Sequence, residues 1–520
     1  MPLSTRILPY RNLACALTDE TTGYTTPRNP SPLPSPLLKG RGGNRGSSGC
    51  SRFCELLCKS ARRWVTSAFV LPITLAGLTI PGTYQAADAS TAWPLKVSSD
   101  GRHLADQNDT PFLYTADTSW TMLSMLSVAD ARKYIDLRKS QGFNAIQTVA
   151  TGWRRNGSGP RGVFFEDGDV TRPNEAYFAG VDEIVAYAES QDILLTVGLL
   201  WLADNGGWSG GTAVPAAHFA QYSRWLGNRY RNRGNLIWFL GGDEEISVQT
   251  ETTKAAAAAL AVVDLHHLIT YHPRSHAFEL RFEKWLAFNS FQWNANSAPY
   301  TYQDIRQGYL LTPTKPILDA EPAYDPRPCC GEDPVTTHQK VRRNGWWAIL
   351  SGAMGVVYGG PKGAWNIGAS GAPDWAQVSR PAATHTGNIR RILEPLAWSR
   401  LVPDFGNTVV TGGGSDGSTN YVATAVAYDG SLIAAYTPVA ATLQVDLTKL
   451  SASGTAQWFD PASGEAQGSA IPVENLGSRL FTTPGLNRDQ GADWVLIVKT
   501  RNGDWAHPQP QGGSGRDGRS

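Results

Sequence analysis

Between residues 93 and 395 the chain alternates short apolar runs with amphipathic segments, which is the pattern of a parallel α/β fold. Eight apolar runs are predicted to be strands, at residues 112–116, 145–149, 194–200, 236–240, 268–271, 286–291, 316–318 and 355–358. Eight β/α units in about 300 residues predict a (β/α)8 TIM barrel, whose usual length is about 250 residues plus insertions. A doubly wound open sheet is the alternative fold. No glycine-rich phosphate loop follows the first strand, so nothing favours a nucleotide-binding site.

The segments between the predicted strands begin and end with helix signals. Ser127 is the predicted N-cap of a helix that ends at Gly142, and Asn174 begins a second helix with an inward-facing apolar stripe. A third amphipathic stretch carries Phe219 and stops at Gly234. These helices are expected to cover the outside of the barrel.

The N-terminal segment is unlike the rest of the chain. Residues 1–60 are rich in Pro, Ser, Gly and Arg and are predicted to be a disordered, low-complexity extension. Residues 61–89 predict a signal peptide, because Arg62 and Arg63 precede an apolar run and Ala87 and Ala89 offer a small-x-small cleavage site. We therefore expect a secreted or periplasmic protein whose mature form has no stable membrane span. An uncleaved N-terminal anchor is the alternative.

The formal net charge of +1 hides an uneven distribution of charge. Residues 1–63 hold ten Lys and Arg against three Asp and Glu, so the remainder carries about −6. No basic stripe is present that would neutralise phosphates, and we expect no nucleic-acid partner. The 520 residues are 41% hydrophobic and include 18 Trp, which is enough for more than one core.

Four of the six cysteines precede the predicted cleavage site. Cys50, Cys54 and Cys58 lack the paired spacing of a zinc knuckle, so we do not expect them to bind metal. Cys329 and Cys330 are then the two thiols of the mature chain. A strained disulfide between these neighbours, stiffening the loop after the seventh strand, is one hypothesis, and two free thiols are the alternative.

Two of the predicted strands end in carboxylates. Glu321 closes the seventh just before Pro322, and Asp243 to Glu245 close the fourth, after a pair of glycines that give the backbone room to turn beside a ligand. Active sites of such barrels form at the carboxyl ends of the strands. Two acids there indicate acid/base and nucleophile chemistry on a sugar. A salt bridge from Glu321 to a barrel arginine is the alternative.

Further polar and aromatic residues follow the predicted strands. The candidates for binding a carbohydrate substrate are Asp117, Trp120, Gln147, Trp153, Glu244, His272, Gln292, Tyr324 and Trp365. For any single tryptophan, plain packing is the alternative. His272 and its neighbours lack the His-Glu-x-x-His spacing of zinc hydrolases, and no Gly-x-Ser-x-Gly elbow follows a strand. We therefore expect no metal, no organic cofactor and no serine nucleophile.

After residue 395 the pattern changes to short alternating strands separated by turn signals. The predicted strands are 408–411, 421–428, 432–436, 442–447, 456–459 and 494–499. They predict an antiparallel β-sandwich over residues 399–500, packed against a catalytic barrel at residues 90–398. Residues 501–520 are rich in Gly, Pro and Ser and are predicted to be disordered.

Six segments together resemble the apiosidase-like glycoside hydrolases of the family 140 type, barrels joined to a domain named for collagen binding. The segments read ADTSW from Ala116, QGFNAIQ from Gln141, LGGDE from Leu240, FNSFQ from Phe288, EPAY from Glu321 and GVVYG from Gly355. The resemblance implies a barrel glycosidase with Asp243 as general acid/base and Glu321 as the partner carboxylate. Gly-Asp-Glu stands where retaining barrels usually have Asn-Glu, which leaves Glu244 as a competitor for Asp243.

With the signal peptide predicted at residues 61–89, the expected protein is an exported enzyme that cleaves a glycosidic bond in a plant or microbial polysaccharide side chain, and the resemblance favours retention. It does not fix the sugar. The contrary class is a non-catalytic glycan- or extracellular-matrix-binding protein that uses the same aromatic-lined mouth. Acids at both Asp243 and Glu321 favour the enzyme.

Overall fold

The computed structural model describes residues 90–151, 157–202, 214–244, 246–292, 301–325, 338–367 and 373–504, without the side chains of residues 248 and 249. The predicted N-terminal extension and signal peptide, Trp153 and the Cys329–Cys330 pair lie outside the described residues. Arg501–Gly503 form a turn of 3-10 helix, so the expected C-terminal tail begins later than residue 501. Within the described ranges, no helix combines the length and the apolar character needed to cross a bilayer.

Eight parallel strands form the larger part of the fold. They are β1 (Tyr114–Thr118), β2 (Ala145–Val149), β3 (Leu194–Gly198), β4 (Leu236–Glu244), β5 (Leu268–Pro273), β6 (Asn289–Gln292), β7 (Ile317–Glu321) and β8 (Gly355–Gly359). Nearly all of their residues are buried, which explains the apolar runs in the sequence. β4 and β7 continue to their carboxylates, beyond the predicted ends at 240 and 318.

The strands close into a ring. Six lie in the order β5-β4-β3-β2-β1-β8, and β6 pairs with β7. The Ala287 amide donates to the carbonyl of Ile269 in β5 at 2.8 Å, and the Met354 amide, next to β8, donates to the carbonyl of Ile317 in β7 at 2.9 Å. These bonds join the β6–β7 pair to both edges of the six-stranded sheet. The fold is therefore the predicted TIM barrel and not an open, doubly wound sheet.

The first predicted strand, residues 112–116, is wrong in its bounds. Phe112 belongs to a small antiparallel sheet made of Lys96–Val97, Leu104–Ala105 and Pro111–Phe112, and β1 begins only at Tyr114. Leu104 and Phe112 pack with Tyr114 in one buried cluster of the barrel interior. This small sheet therefore covers the end of the barrel at which the strands begin.

Seven helices of nine residues or more follow the barrel strands in the described ranges. They are α1 (Val128–Ser140), α2 (Glu175–Ser190), α3 (Ala216–Tyr230), α4 (Ile246–Val263), α5 (Thr301–Tyr309), α6 (His338–Leu350) and α7 (Pro381–Leu393). The predicted caps are confirmed, since Ser127 accepts from the Asp130 amide and Asn174 from the Tyr177 amide. Helix α3 ends at Tyr230, before the predicted stop at Gly234.

The C-terminal part consists of two antiparallel sheets. Its strands are β9 (Leu401–Pro403), β10 (Val410–Thr411), β11 (Ala423–Ala427), β12 (Leu432–Thr437), β13 (Thr442–Asp446), β14 (Gly454–Asp460), β15 (Glu465–Val473), β16 (Ser478–Thr482) and β17 (Trp494–Lys499). One sheet has the order β9-β11-β12-β17-β14-β15 and the other the order β10-β13-β16. Strands β9, β15 and β16 are additions to the predicted set.

The larger of these sheets shares a core with the barrel helices. Trp346 of α6 stacks on Tyr436 of β12, with ring centroids 6.0 Å apart, and the Trp347 indole donates to the Tyr421 carbonyl at 2.9 Å. These side chains are buried in a single apolar cluster with residues of α7, β11 and β17. The face of the large sheet that covers α6 and α7 is therefore interior surface.

Candidate active site

Three ionisable side chains meet where β4, β5 and β7 end. Nε2 of His272 lies 2.9 Å from Oε2 of Glu321 and 3.7 Å from Oδ1 of Asp243. One carboxylate oxygen of Asp243, one ring nitrogen of His272 and one carboxylate oxygen of Glu321 all lie within 4.8 Å of one another. The two acids that the sequence singles out are thus neighbours, with an imidazole between them.

An irregular end of β4 brings Asp243 into this group. The register with β5 passes from Gly241 opposite His272 to Glu244 opposite the next residue, so Gly242 and Asp243 bulge out of the ladder. Gly241, Gly242 and Asp243 have φ of 89°, 108° and 50°. A Cβ on Gly241 would lie 2.5 Å from the His272 carbonyl oxygen, so the glycine is required there. Asp243 tolerates the left-handed region better than most residues.

Glu321 is held by donors on two sides. It is only 7% exposed, and it accepts hydrogen bonds from Nε2 of His272 and from the Tyr324 hydroxyl. The Tyr324 hydroxyl in turn accepts from Nε1 of Trp120 at 2.9 Å. This chain of bonds fixes the carboxylate in a buried setting, where charge-assisted hydrogen bonds are strong.

Aromatic rings form the walls around His272. The ring centroids of Trp120, Trp201 and Phe239 lie 5.0, 5.2 and 5.6 Å from the imidazole. Trp365 is half-buried, and its ring centroid lies 6.0 Å from that of Tyr324. Apolar walls with a few converging polar groups are the usual make-up of a small-molecule site.

The electrostatics of the group follow from its burial and its charges. Burial disfavours the imidazolium of His272, but the hydrogen bonds and charges of Asp243 and Glu321 outweigh it and raise its pKa to about 9. Burial and the charge of Asp243 raise the pKa of Glu321, while His272 and Tyr324 lower it. A protonated His272 is therefore the group that favours an ionised Glu321.

The remaining predicted residues lie at different distances from the acids. Gln292 ends β6 opposite Glu321 and is half-buried. Gln147 is only 2% exposed, and its side-chain amide donates to the main-chain carbonyl of Ala320 at 2.8 Å. Glu244 is 4% exposed and is not one of the three residues within 4.8 Å of one another. Trp153 lies outside the described residues.

The prediction that Asp117 binds substrate is wrong in its placement. Asp117 has no exposed surface, its Oδ1 lies 3.0 Å from Nη2 of Arg138, and the Tyr134 hydroxyl donates to it. Because β1 runs to Thr118, Asp117 lies within the strand on the face toward α1 and not beyond the strand end. It forms a buried ion pair behind the barrel wall.

Two contributors to the site are absent from the residues that the sequence predicts to bind substrate. Phe239 and Arg274 are not among the predicted residues, although Phe239 packs on His272 and Nε of Arg274 donates to the Asp243 carbonyl at 3.1 Å. Alternation along β4 indicates Phe239, because it lies two residues before Gly241 and therefore on the same face of the strand. The register between β6 and β7 also skips Ala320, which makes a bulge in β7, and no sequence signal predicts it, because alanine fits a regular strand equally well.

Two groups of side chains offer metal-ligand atoms in the described residues. Asp243, His272 and Glu321 are one, and there Nε2 of His272 is already hydrogen-bonded to Glu321. The absence of a metal from the reaction stays a prediction.

The second group is His338, His385 and Asp489. Nη1 of Arg342 donates to Nδ1 of His385 at 3.0 Å and to Oδ2 of Asp489 at 2.5 Å. Burial and the charge of Arg342 lower the pKa of His385 to about 4. The Arg342 guanidinium thus takes the place that a metal ion would need among these atoms. The cluster is an ion-pair network that links α6 to the loop before β17.

Two family models match successive parts of the chain. Residues 98–400 match the family model described as "Apiosidase-like, catalytic domain", and residues 402–499 match the one described as "Putative collagen-binding domain of a collagenase". A comparison with curated proteins finds no match.

Two solved structures resemble the chain closely in fold. One, described as a glycoside hydrolase, has a TM-score of 0.70 and 22% identity over 79% of this chain and 98% of its own. The other, a glycoside hydrolase family 5 protein from Bacteroides vulgatus, has a TM-score of 0.68 and 22% identity over 78% of this chain and 93% of its own. At this identity the likeness supports the fold alone.

Proposed function

This chain belongs to the apiosidase-like glycoside hydrolases, and from that premise we propose that Asp243 and Glu321 cleave a glycosidic bond with retention of configuration. The proposed substrate is a side chain of a plant or microbial polysaccharide. Export, to the outside of the cell or to a periplasm, is proposed from residues 61–89 of the sequence. No organic cofactor is needed for this chemistry.

The observation that carries the proposal is the short gap between the two acids. A carboxylate oxygen of Asp243 and one of Glu321 lie within 4.8 Å of each other. Retaining glycosidases hold their carboxyl groups about 5 to 5.5 Å apart, whereas inverting enzymes leave about 6.5 to 9.5 Å for a water. The gap supports direct attack on the sugar over attack by an interposed water.

The surroundings of the two acids support different roles for them. The Asp243 side chain is 37% exposed, so it can reach a leaving group that extends into solvent. In the first step Asp243 gives a proton to the glycosidic oxygen, while Glu321 attacks the anomeric carbon and the bond to the leaving group breaks. In the second step Asp243 takes a proton from water, which attacks the same carbon and releases Glu321.

His272 supports the nucleophile in this scheme. Its Nε2–H donates to Glu321 at 2.9 Å, and the imidazolium lowers the pKa of a carboxyl group whose pKa is raised by burial. Trp120 holds Tyr324, which gives Glu321 its second hydrogen bond. These two hydrogen bonds favour the ionised form of Glu321 and orient its carboxylate before substrate binds.

The experiment compares Asp243→Ala and Glu321→Ala on substrates that differ in leaving group. A panel of aryl furanosides and pyranosides, with pectin and arabinan fragments, first identifies a substrate. Asp243→Ala is expected to lose about 10² to 10⁴-fold on a natural glycoside and much less on a glycoside of an acidic phenol. Azide should restore this variant and give a glycosyl azide of retained configuration, detected by NMR.

The other acids give the matched controls. Glu321→Ala should lose turnover on both kinds of substrate, since no leaving group replaces a nucleophile. Glu244→Ala tests whether Glu244 is the general acid/base. If Glu244→Ala loses activity on the natural glycoside and Asp243→Ala keeps it, that role belongs to Glu244. If the wild-type chain binds glycans but cleaves none of them, the protein is a glycan-binding protein and the proposal fails.

A further inference from the structure

The strand that carries Glu321 is irregular at the residue before it. Phe291 of β6 lies opposite Asp319, and the next residue, Gln292, lies opposite Glu321. Ala320 therefore has no partner in the ladder with β6. A bulge of this kind turns the following side chain away from the regular alternation, and bulges are frequent beside active sites.

A side chain from a strand that is not adjacent holds the bulged residue. Nε2 of Gln147 in β2 donates to the main-chain carbonyl of Ala320 at 2.8 Å. The order β2-β1-β8 continues to β7, so this bond crosses the barrel interior and skips two strands. Gln147 is 2% exposed and Ala320 is 4% exposed. At that burial the side-chain amide of Gln147 is bonded to the protein and is not accessible to a sugar.

We propose that Gln147 is a positioning residue, which locks the bulge at Ala320 and so sets Glu321 against His272 and Tyr324. The effect on turnover rests on the proposed function, while the effect on structure does not. The sequence places Gln147 among substrate-binding residues, and the geometry gives it a different task.

Loss of the amide has a defined consequence. The Ala320 carbonyl would be buried without its donor, and the main chain is expected to turn to find another. Glu321 is the next residue, so its carboxylate would move relative to Nε2 of His272, now 2.9 Å away. A displacement of about 1 Å at reacting groups costs on the order of 10²-fold in rate.

The test compares Gln147→Met with Tyr114→Phe. Methionine keeps the length of the side chain and removes the donor. Tyr114→Phe is the control, because it removes another buried bond of the barrel interior, that of the Tyr114 hydroxyl to Oγ1 of Thr196 at 2.9 Å, without touching β7. We expect kcat of Gln147→Met to fall about 10 to 100-fold with KM nearly unchanged, and Tyr114→Phe to keep its kcat.

The pH profile separates positioning from simple loss of stability. His272 and Tyr324 lower the pKa of Glu321, so a displaced carboxylate loses that help and its pKa rises. The acidic limb of kcat/KM should move to higher pH in Gln147→Met and stay in place in Tyr114→Phe. Gln147→Glu should recover kcat while its buried carboxyl is protonated and can donate to Ala320, and lose it as pH rises.

Three results would overturn the inference. One is a rise in KM with kcat unchanged, which would make Gln147 a substrate contact. Another is an acidic limb that stays in place. The third is a crystal structure of Gln147→Met with Glu321 undisturbed. This last measurement needs no substrate, so the lock can be judged even if the wild-type chain proves inactive on every glycoside and the proposed function fails.

Discussion

Replacing Asp117 with asparagine tests whether the buried acid of β1 supports the fold or the substrate. Neither Asp117 nor Arg138 has exposed surface, and their charged atoms are 3.0 Å apart. Burial lowers the pKa of Arg138, but the charge of Asp117 outweighs it, so the guanidinium stays charged. Asp117→Asn therefore leaves a cation in the interior without its counterion.

The magnitude follows from that arrangement. At 3.0 Å two unit charges attract by about 5 kcal/mol with an effective dielectric constant near 20. Relief from desolvating the carboxylate offsets part of this, and asparagine can still accept from Tyr134. Breaking a buried pair by removing one partner usually costs about 3 to 5 kcal/mol, and we expect the free energy of unfolding to fall by about 3 kcal/mol.

Chemical denaturation and kinetics together provide the assay. The unfolding midpoint should fall, while kcat/KM of the folded protein should stay within about threefold of wild type, because Asp117 lies behind the barrel wall. Glu183→Gln is the control, since it removes an exposed ion pair with Arg132 of helix α1 and should cost less than about 1 kcal/mol. A hundredfold loss of kcat/KM with unchanged stability would return Asp117 to the substrate and refute the reasoning.

Two further outcomes are expected. A Cβ on Gly359 would lie 1.9 Å from Cδ1 of Tyr324, so Gly359→Ala should displace the Tyr324 hydroxyl from Glu321 and lower kcat about 10 to 100-fold. In a double variant, Gly359→Ala should add little to the loss of kcat caused by Tyr324→Phe, and additive losses would contradict this explanation. The folded-state pKa of His272 is raised from 6.5 to about 9, so its contribution to stability, at most about 3 kcal/mol, is complete below pH 6.5 and lost as pH rises through 9. The free energies of unfolding of wild type and His272→Gln should therefore converge as the pH rises from 6 to 10, and a difference that stays constant with pH would exclude such a linkage.

The barrel could be predicted because its strands are buried on both faces. Runs such as 236–240 and 355–358 contain no charged residue, and a strand with one face in solvent would alternate apolar with polar residues instead. Sequence position also indicated Glu321, since an acid that ends such a run lies at the mouth. Position also indicated the acids from Asp243 to Glu245, and the resemblance singled out Asp243 among them; its role, like that of Glu321, is a proposal.

The wrong placement of Asp117 and the unpredicted bulge at Ala320 both come from offsets of one or two residues along a strand. A strand that ends two residues later than predicted moves Asp117 from the mouth to the outer face, because successive side chains alternate. Likewise, the bulge at Ala320 is an offset between partner strands, which a single strand does not record. Strand β15 was missed for another reason: nearly all its residues are exposed, so it lacks the alternation that reveals a half-buried strand.

The core shared by α6, α7 and the large C-terminal sheet has a consequence for synthesis of the chain. Trp346 and Trp347 leave the ribosome well before strands β11, β12 and β17, whose side chains cover them. At about 5 to 20 residues per second, the remaining strands take several seconds or more to follow. During that interval a barrel with all of its strands present still exposes two tryptophans, which offer an apolar surface to chaperones.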